Sequence, residues 1–179
     1  MTLHPQGFVQ TNHLVAEKLY STAASWVKDL KVESFLELFS GQGAFSFFIQ
    51  KHVTKALGVE INPEAVMRAT QTAQEMKWDH LKFIASDAAS VEETAMAFYP
   101  DLILVNPPRR GLGKSLELLK KSKAQYFIYS SCNAISLADD LNQLKEHFEI
   151  LKVQLFDMFP HTDHFETLVL LKSLNAGKT

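Results

Sequence analysis

The chain has one cysteine, no long apolar run and no excess of basic residues. Because Cys132 has no second thiol to pair with, an internal disulfide and a cysteine-rich zinc or iron-sulfur site are excluded. No apolar run reaches the roughly eighteen residues that a membrane span needs, and residues 1–10 lack the basic and apolar pattern of a signal peptide. We therefore expect a cytoplasmic protein in which any special role of the cysteine comes from its thiol chemistry.

The charge is balanced, with 18 basic and 20 acidic side chains and a net charge of −2 at pH 7. Proteins dedicated to binding nucleic acids usually carry a clear excess of Lys and Arg, because they contact phosphates. Composition alone therefore argues against RNA. By themselves, the local basic clusters are interpreted as solvated surface. They are Arg109, Arg110 and Lys114, and then Lys120, Lys121 and Lys123.

Short apolar runs alternate with helical patterns after an opening amphipathic helix over residues 10–30. The predicted strands are 35–39, 56–61, 81–85, 102–105 and 126–129, and the predicted helices are 44–51, 63–77, 91–98, 114–122 and 136–147. Strict alternation predicts a parallel sheet with right-handed crossovers and helices on both faces. With 179 residues, 46% of them hydrophobic, the chain fits one domain over residues 1–179.

The end of the chain breaks this alternation. Residues 150–156 and 165–171 predict two strands with no helix between them, so we expect an antiparallel pair at one edge of the sheet. The predicted fold is a Rossmann-like α/β domain with a mostly parallel, doubly wound, seven-stranded sheet and an antiparallel C-terminal pair.

A glycine turn follows the first predicted strand. Gly41 and Gly43 let the backbone approach a ligand closely, which suggests a nucleotide-like cofactor, although Ser46 stands where a dinucleotide-binding turn needs a third glycine. Glu60 ends the next strand about twenty residues later, where a carboxylate can accept hydrogen bonds from ribose hydroxyls. Asp87 follows the third strand and is either a contact to an adenine amino group or an ordinary turn residue.

Further reactive groups follow later strands. Two prolines after Asn106 fix the backbone and present the Asn106 side chain rigidly to a ligand. Asn-Pro-Pro also occurs in methyltransferases that act on exocyclic amines, where an aromatic residue normally follows, but Arg109 stands at that position. Cys132 comes at the end of the fifth strand, where a nucleophile is favoured over an inert core cysteine. Glu166 starts the last strand, where it can act as a general base.

The loop between the last two strands holds several titratable groups. A metal site formed by His161, Asp163 and His164 is conceivable, but their spacing fits no common zinc pattern. We therefore predict no metal site.

Together these segments resemble the RNA uridine-C5 methyltransferases, and the resemblance runs through nearly the whole chain. It is most specific in residues 106–111, 129–134 and 155–162, which are most similar to bacterial members that modify 23S ribosomal RNA. The resemblance implies the class I methyltransferase fold, S-adenosylmethionine as cofactor and RNA as partner, with 23S ribosomal RNA favoured. No membrane and no obligate protein partner is expected.

The resemblance also implies roles for individual residues. Gln10, Phe39, Glu60 and Asn106 match cofactor-contacting positions, Cys132 matches the nucleophile and Glu166 matches the base. Carbon 5 of uracil is a poor nucleophile until a thiolate adds at carbon 6, which explains why the nucleophile is needed. After methylation the base removes the carbon 5 proton and the thiolate leaves. The target base must first leave its stack.

Two other functions stay open on the residues themselves. One is an amine-directed methyltransferase that uses Asn106 and the two prolines, and the other is a non-catalytic RNA- or cofactor-binding module in which Cys132 only packs. Full-length ribosomal members of the family carry an N-terminal part with four cysteines that hold an iron-sulfur cluster, which this chain does not support. We therefore expect this chain to be a fragment, and we expect the missing part to provide much of the RNA binding.

Overall fold

A computed structural model describes residues 12–158 and 165–175. Within them, six α-helices and seven strands alternate along most of the chain. The helices are α1 (His13–Leu30), α2 (Ala44–Ile49), α3 (Pro63–Glu75), α4 (Glu92–Phe98), α5 (Ser115–Lys121) and α6 (Ala134–Leu144). The strands are β1 (Ser34–Leu38), β2 (Lys55–Glu60), β3 (Leu81–Ala85), β4 (Leu102–Val105), β5 (Tyr126–Ser131), β6 (Phe148–Phe156) and β7 (Glu166–Ser173).

The strands form one sheet in the order β3-β2-β1-β4-β5-β7-β6. β1 to β5 pair in parallel, whereas β7 runs antiparallel to both β5 and β6. This confirms the predicted seven-stranded sheet with an antiparallel pair at one edge. The strand order reverses direction between β1 and β4, and ligands of open α/β sheets bind at the carboxyl ends of strands at such a point.

Helices cover both faces of the sheet, and the strand side chains alternate between two apolar cores. Phe35 of β1 packs with residues of α1, α2 and α3, while the adjacent Leu36 packs with residues of α4, α5 and α6. Every residue of β1 and β4 is buried, as expected for central strands of a doubly wound sheet. No helix in the described ranges is long and apolar enough to cross a membrane.

Three predicted starts were wrong by two or three residues, because capping and core packing set them. α1 begins at His13 rather than at residue 10, since Asn12 caps it by accepting a hydrogen bond from the Val15 N–H. α6 begins at Ala134 rather than at residue 136, since Asn133 is its cap. β6 begins at Phe148, whose ring is buried in the core, rather than at residue 150.

Candidate active site

The turn after β1 is built from residues with unusual backbone geometry. Phe39, Gly41 and Gly43 have φ angles of 60°, 54° and 83°, a region that costs a non-glycine residue energy. A Cβ placed on Gly43 would lie 2.6 Å from the Phe83 ring, so this position requires glycine for packing. A Cβ on Gly41 would meet no heavy atom of the described chain within 4 Å. The backbone at Gly41 therefore faces open space that a ligand can occupy.

Glu60 holds this turn against the start of α3. One carboxylate oxygen accepts the Gly41 N–H at 2.9 Å and the other accepts the Asn62 N–H at 2.9 Å. The side chain is only half-buried, and each carboxylate oxygen has a second lone pair. Glu60 can therefore shape the turn and still accept a hydrogen bond from a ligand.

Ser40 contributes a buried polar atom to the same turn. Its residue is 5% exposed, and its Oγ has no hydrogen-bond partner within the parts of the chain that the structure describes. A buried hydroxyl without a partner costs free energy. A polar ligand group bound in this turn would remove that cost.

The other predicted cofactor residues differ in their surroundings. Asn106 follows β4, and its N–H points to the Leu38 carbonyl at 3.4 Å, so it lies beside the end of β1. Asp87 is exposed, and its carboxylate accepts the Ala89 N–H at 3.0 Å, which is the contact expected of a turn aspartate. Gln10 lies outside the described residues.

Glu37, which sequence reasoning missed, is a buried carboxyl group within β1. It accepts hydrogen bonds from the backbone N–H of Ser46, at 2.9 Å, and from the Ser46 hydroxyl. Burial, together with a smaller effect of the nearby Glu60, raises the pKa of Glu37 to about 8 against the lowering effect of the Ser46 bonds. A charged residue inside an otherwise apolar strand was the signal that could have revealed it.

Cys132 comes directly after β5, and its side chain is partly exposed rather than sealed in the core. The next residue, Asn133, joins two loops. Its Oδ1 accepts the Ile135 and Ser136 N–H groups at the start of α6, while its Nδ2 donates to the Arg109 carbonyl at 2.9 Å. The cysteine is therefore held beside the proline-containing loop that follows β4.

Glu166 begins β7 and is 3% exposed. It accepts a hydrogen bond of 2.6 Å from Ser130 in the adjacent strand. Burial raises the pKa of Glu166, while the Ser130 bond opposes that rise. The last pair between β5 and β7 is Ser131 with Thr167, so Cys132 and Glu166 lie at facing ends of neighbouring strands.

The basic clusters have different surroundings. Arg109 and Arg110 are exposed in the loop after β4, next to the cysteine loop. Lys120 and Lys121 form surface ion pairs with Glu117, at 2.9 Å, and with Glu92, at 3.1 Å. Such exposed pairs contribute little to stability. The first cluster adjoins the candidate site, because the Arg109 carbonyl accepts the Asn133 side-chain bond.

His161, Asp163 and His164, which sequence reasoning considered as metal ligands and set aside, lie outside the described residues. Within residues 12–158 and 165–175, no group of three or more His, Cys, Asp or Glu side chains is placed to hold a metal ion.

The strand order and the antiparallel final pair are those of the class I methyltransferases, and solved structures agree. The tRNA (uracil-54, C5)-methyltransferase of Pyrococcus abyssi, solved with S-adenosyl-L-homocysteine, superimposes with a TM-score of 0.83 at 29% identity. The match covers 94% of this chain and 41% of that one. The N-methyltransferase NodS of Bradyrhizobium japonicum, at 16% identity, shares the fold with a TM-score of 0.75, over 92% of this chain and 89% of NodS.

The chain belongs to the tRNA (uracil-5-)-methyltransferase family, whose model matches residues 2–174. This confirms the family resemblance found in the sequence. Two curated relatives are named 23S rRNA (uracil(747)-C(5))-methyltransferase RlmC. The protein from Proteus mirabilis is 45% identical over 94% of this chain, and the protein from Vibrio vulnificus is 45% identical over 96% of it. The chain spans only 45% of the length of each of these relatives.

Proposed function

We propose that this chain transfers a methyl group from S-adenosylmethionine to carbon 5 of a uridine in 23S ribosomal RNA. The family and the names of the relatives support uracil in RNA as the substrate class, and the RlmC names favour 23S ribosomal RNA over transfer RNA. The exposed Arg109 and Arg110 beside the cysteine loop are suited to contact RNA phosphates.

The turn after β1 fits S-adenosylmethionine. The open face of Gly41, the carboxylate of Glu60 and the unpartnered Ser40 hydroxyl offer close backbone approach, an acceptor for ribose hydroxyls and a further polar contact. We assign further contacts to the partly exposed ring of Phe39, to Asn106, to Asp87 and to Gln10. When bound, the cofactor supplies an electrophilic methyl group.

Cys132 acts as the nucleophile. Its thiolate forms a bond to carbon 6 of the uracil, and the electrons of the 5,6 double bond move toward carbon 5 and the carbonyl oxygen at position 4. Carbon 5 thereby becomes nucleophilic and would take the methyl group of the bound cofactor, which would be left as S-adenosylhomocysteine. The partly exposed side chain of Cys132, at the carboxyl edge of the sheet, supports this role over simple packing.

Glu166 acts as the base. Its carboxylate takes the proton from carbon 5, the electrons of that bond re-form the double bond, and the Cys132 thiolate leaves from carbon 6. A raised pKa suits this task, because it makes the carboxylate a stronger proton acceptor near neutral pH. The observation that carries the proposal is the register of β5 and β7: their last pair is Ser131 with Thr167, so Cys132 follows the end of β5 where Glu166 begins the neighbouring strand.

A methyl-transfer assay on unmodified 23S ribosomal RNA and transfer RNA, followed by mapping of the modified base, tests the function. We expect 5-methyluridine in 23S ribosomal RNA. A methyl group on an exocyclic amine would instead support the amine-directed reaction through Asn106. A third outcome is binding of cofactor and RNA without methyl transfer. If a chain extended to the full length of its relatives also transfers no methyl group, a binding module is supported.

A further inference from the structure

Asp140 is a buried carboxylate that neither the family resemblance nor the proposed mechanism uses. It lies in the middle of α6 and is 7% exposed. One oxygen, Oδ2, accepts a 2.6 Å hydrogen bond from the Tyr129 hydroxyl and a 2.9 Å bond from the Leu112 N–H. A single side chain therefore connects the strand that leads to Cys132 with the loop that follows the two prolines.

The surroundings of Asp140 are built for this contact. A Cβ on Gly111, which has a φ of 82°, would lie 2.6 Å from Asp140 Oδ2, so glycine permits the loop to approach the carboxylate. Tyr129 is completely buried, and burial, followed by its bond to Asp140, raises its pKa. The phenol therefore stays protonated near neutral pH and donates its hydrogen bond to Asp140.

The second link between the same two loops lies at the surface. Asn133, which follows Cys132, donates to the Arg109 carbonyl. The Asn133 bond and the Asp140 bonds therefore fix the proline loop to both ends of the segment that contains the thiol. We call Asp140, Tyr129 and the Leu112 N–H the buried brace.

We propose that Asp140 is a positioning residue, which through the buried brace sets the place of the Cys132 thiol relative to the loop of residues 106–112. This inference rests on the proposed function, because the group that it positions is the proposed nucleophile. A misplacement of about 1 Å in reacting atoms lowers a rate about a hundredfold, so such a brace affects chemistry more than cofactor binding.

The test measures how fast the chain forms a covalent adduct with RNA that contains 5-fluorouridine, at saturating S-adenosylmethionine. Cofactor affinity by calorimetry and the unfolding temperature are measured on the same samples. The variants are Asp140→Ala, which removes the brace, Asp140→Asn, which keeps an oxygen that can accept both bonds, and Tyr129→Phe, which removes one bond. The matched control is Asp139→Ala, which changes the exposed neighbour in the same helix.

We expect adduct formation to fall about a hundredfold in Asp140→Ala and up to about tenfold in Tyr129→Phe, with cofactor affinity unchanged. Asp140→Asn and Asp139→Ala should react like the parent chain. If Asp140→Ala does not fold, the proposal is tested by comparing the adduct rate of Tyr129→Phe with that of Asp140→Asn. Parent-like rates in Asp140→Ala and Tyr129→Phe would overturn the proposal, as would an equal loss of cofactor affinity and adduct formation, which indicates a general structural role.

Failure of the proposed function gives a different result. If the parent chain forms no adduct, the rate at which iodoacetamide alkylates Cys132 replaces the adduct as the readout. The sole cysteine makes this rate unambiguous. A faster alkylation in Asp140→Ala and Tyr129→Phe than in Asp139→Ala would support the brace, and equal rates in all folded variants would refute it.

Discussion

The two halves of the sheet's carboxyl edge are held together by different kinds of contact. At the β1–β2 end, the glycine turn has backbone bonds of its own, from the Gly43 N–H to the Ser40 carbonyl at 2.8 Å and from the Ser40 N–H to the Val59 carbonyl at 3.0 Å, and Glu60 adds side-chain bonds to them. At the β4–β5–β7 end, side chains join loops, strands and a helix that are far apart in sequence. These bonds span 24 residues for Asn133 to Arg109, 28 for Asp140 to Leu112 and 36 for Ser130 to Glu166.

This difference predicts that substitutions at one end of the edge change cofactor affinity, while substitutions at the other end change the rate of methyl transfer. A turn fixed by its own backbone keeps its shape when a distant side chain changes, so substitutions there should act on cofactor affinity. Loops fixed by side-chain bonds shift when one bond is lost, so substitutions there should act on the reaction while the cofactor still binds. Substitutions at Cys132 and Glu60 test this separation directly.

The largest effect is expected for Cys132→Ala. Without the thiol, uracil cannot be activated, so methyl transfer should fall at least about a thousandfold, while cofactor affinity stays that of the parent chain. Transfer of labelled methyl groups and calorimetry measure the two quantities. Methyl transfer that survives the substitution would show that carbon 5 is activated in another way.

Glu166→Gln should come next. Removal of the carbon 5 proton should slow by about two to four orders of magnitude, while the attack of Cys132 proceeds, so covalent RNA complex should accumulate. Lower pH should have the same effect on the parent chain, because Glu166 loses its base form as the pH falls through its raised pKa. Denaturing gels quantify the complex, with Glu149→Gln, on the exposed edge strand, as control. Ordinary turnover in Glu166→Gln would rule out this role.

Glu60→Ala should weaken S-adenosylmethionine binding by about tenfold or more, because a charged acceptor at the glycine turn is lost. At saturating cofactor, adduct formation should be close to that of the parent chain. Glu75→Ala, an exposed change at the end of α3, should leave affinity unchanged. The separation fails if Glu60→Ala lowers the saturated rate as strongly as it lowers affinity.

Glu37→Gln should have the smallest effect on chemistry and a clear effect on stability. Because the folded chain holds the Glu37 proton up to about pH 8 and the unfolded chain only to its ordinary pKa near 4.5, the free energy of unfolding should fall as the pH rises across this window. The slope is at most about 1.4 kcal/mol per pH unit from this group. Denaturant titrations should show a shallower fall in Glu37→Gln and the parent's fall in Glu33→Gln.

The sheet was predictable because strand and helix patterns are local. Short apolar runs predicted the five parallel strands. The absence of a helix between residues 150–156 and 165–171 predicted the antiparallel strand pair at the edge of the sheet. Exact ends were not predictable where one side chain decides them, as Asn133 does for α6. Cys132 and Glu166 were identified by the resemblance and by their position at strand ends.

The supporting groups were missed because their partners are distant. Ser130, Asp140 and Glu37 act through bonds to residues that no local pattern connects with them. A signal was nevertheless present, since Asp140 shares the buried face of α6 with Leu137 and Leu144. A carboxylate on an apolar helix face needs a buried partner, and that requirement identifies the residue even though it does not identify the partner.

The central claim is that the sole sulfur nucleophile of the chain bonds transiently to the uracil ring. Its most direct test is mass spectrometry of the complex formed with RNA that contains 5-fluorouridine, after digestion of both protein and RNA. Fluorine blocks the last proton removal, so the account predicts a methylated fluorouridine attached to the peptide that carries Cys132. A complex attached to any other residue, or no covalent complex under conditions in which the chain methylates uridine, would contradict it.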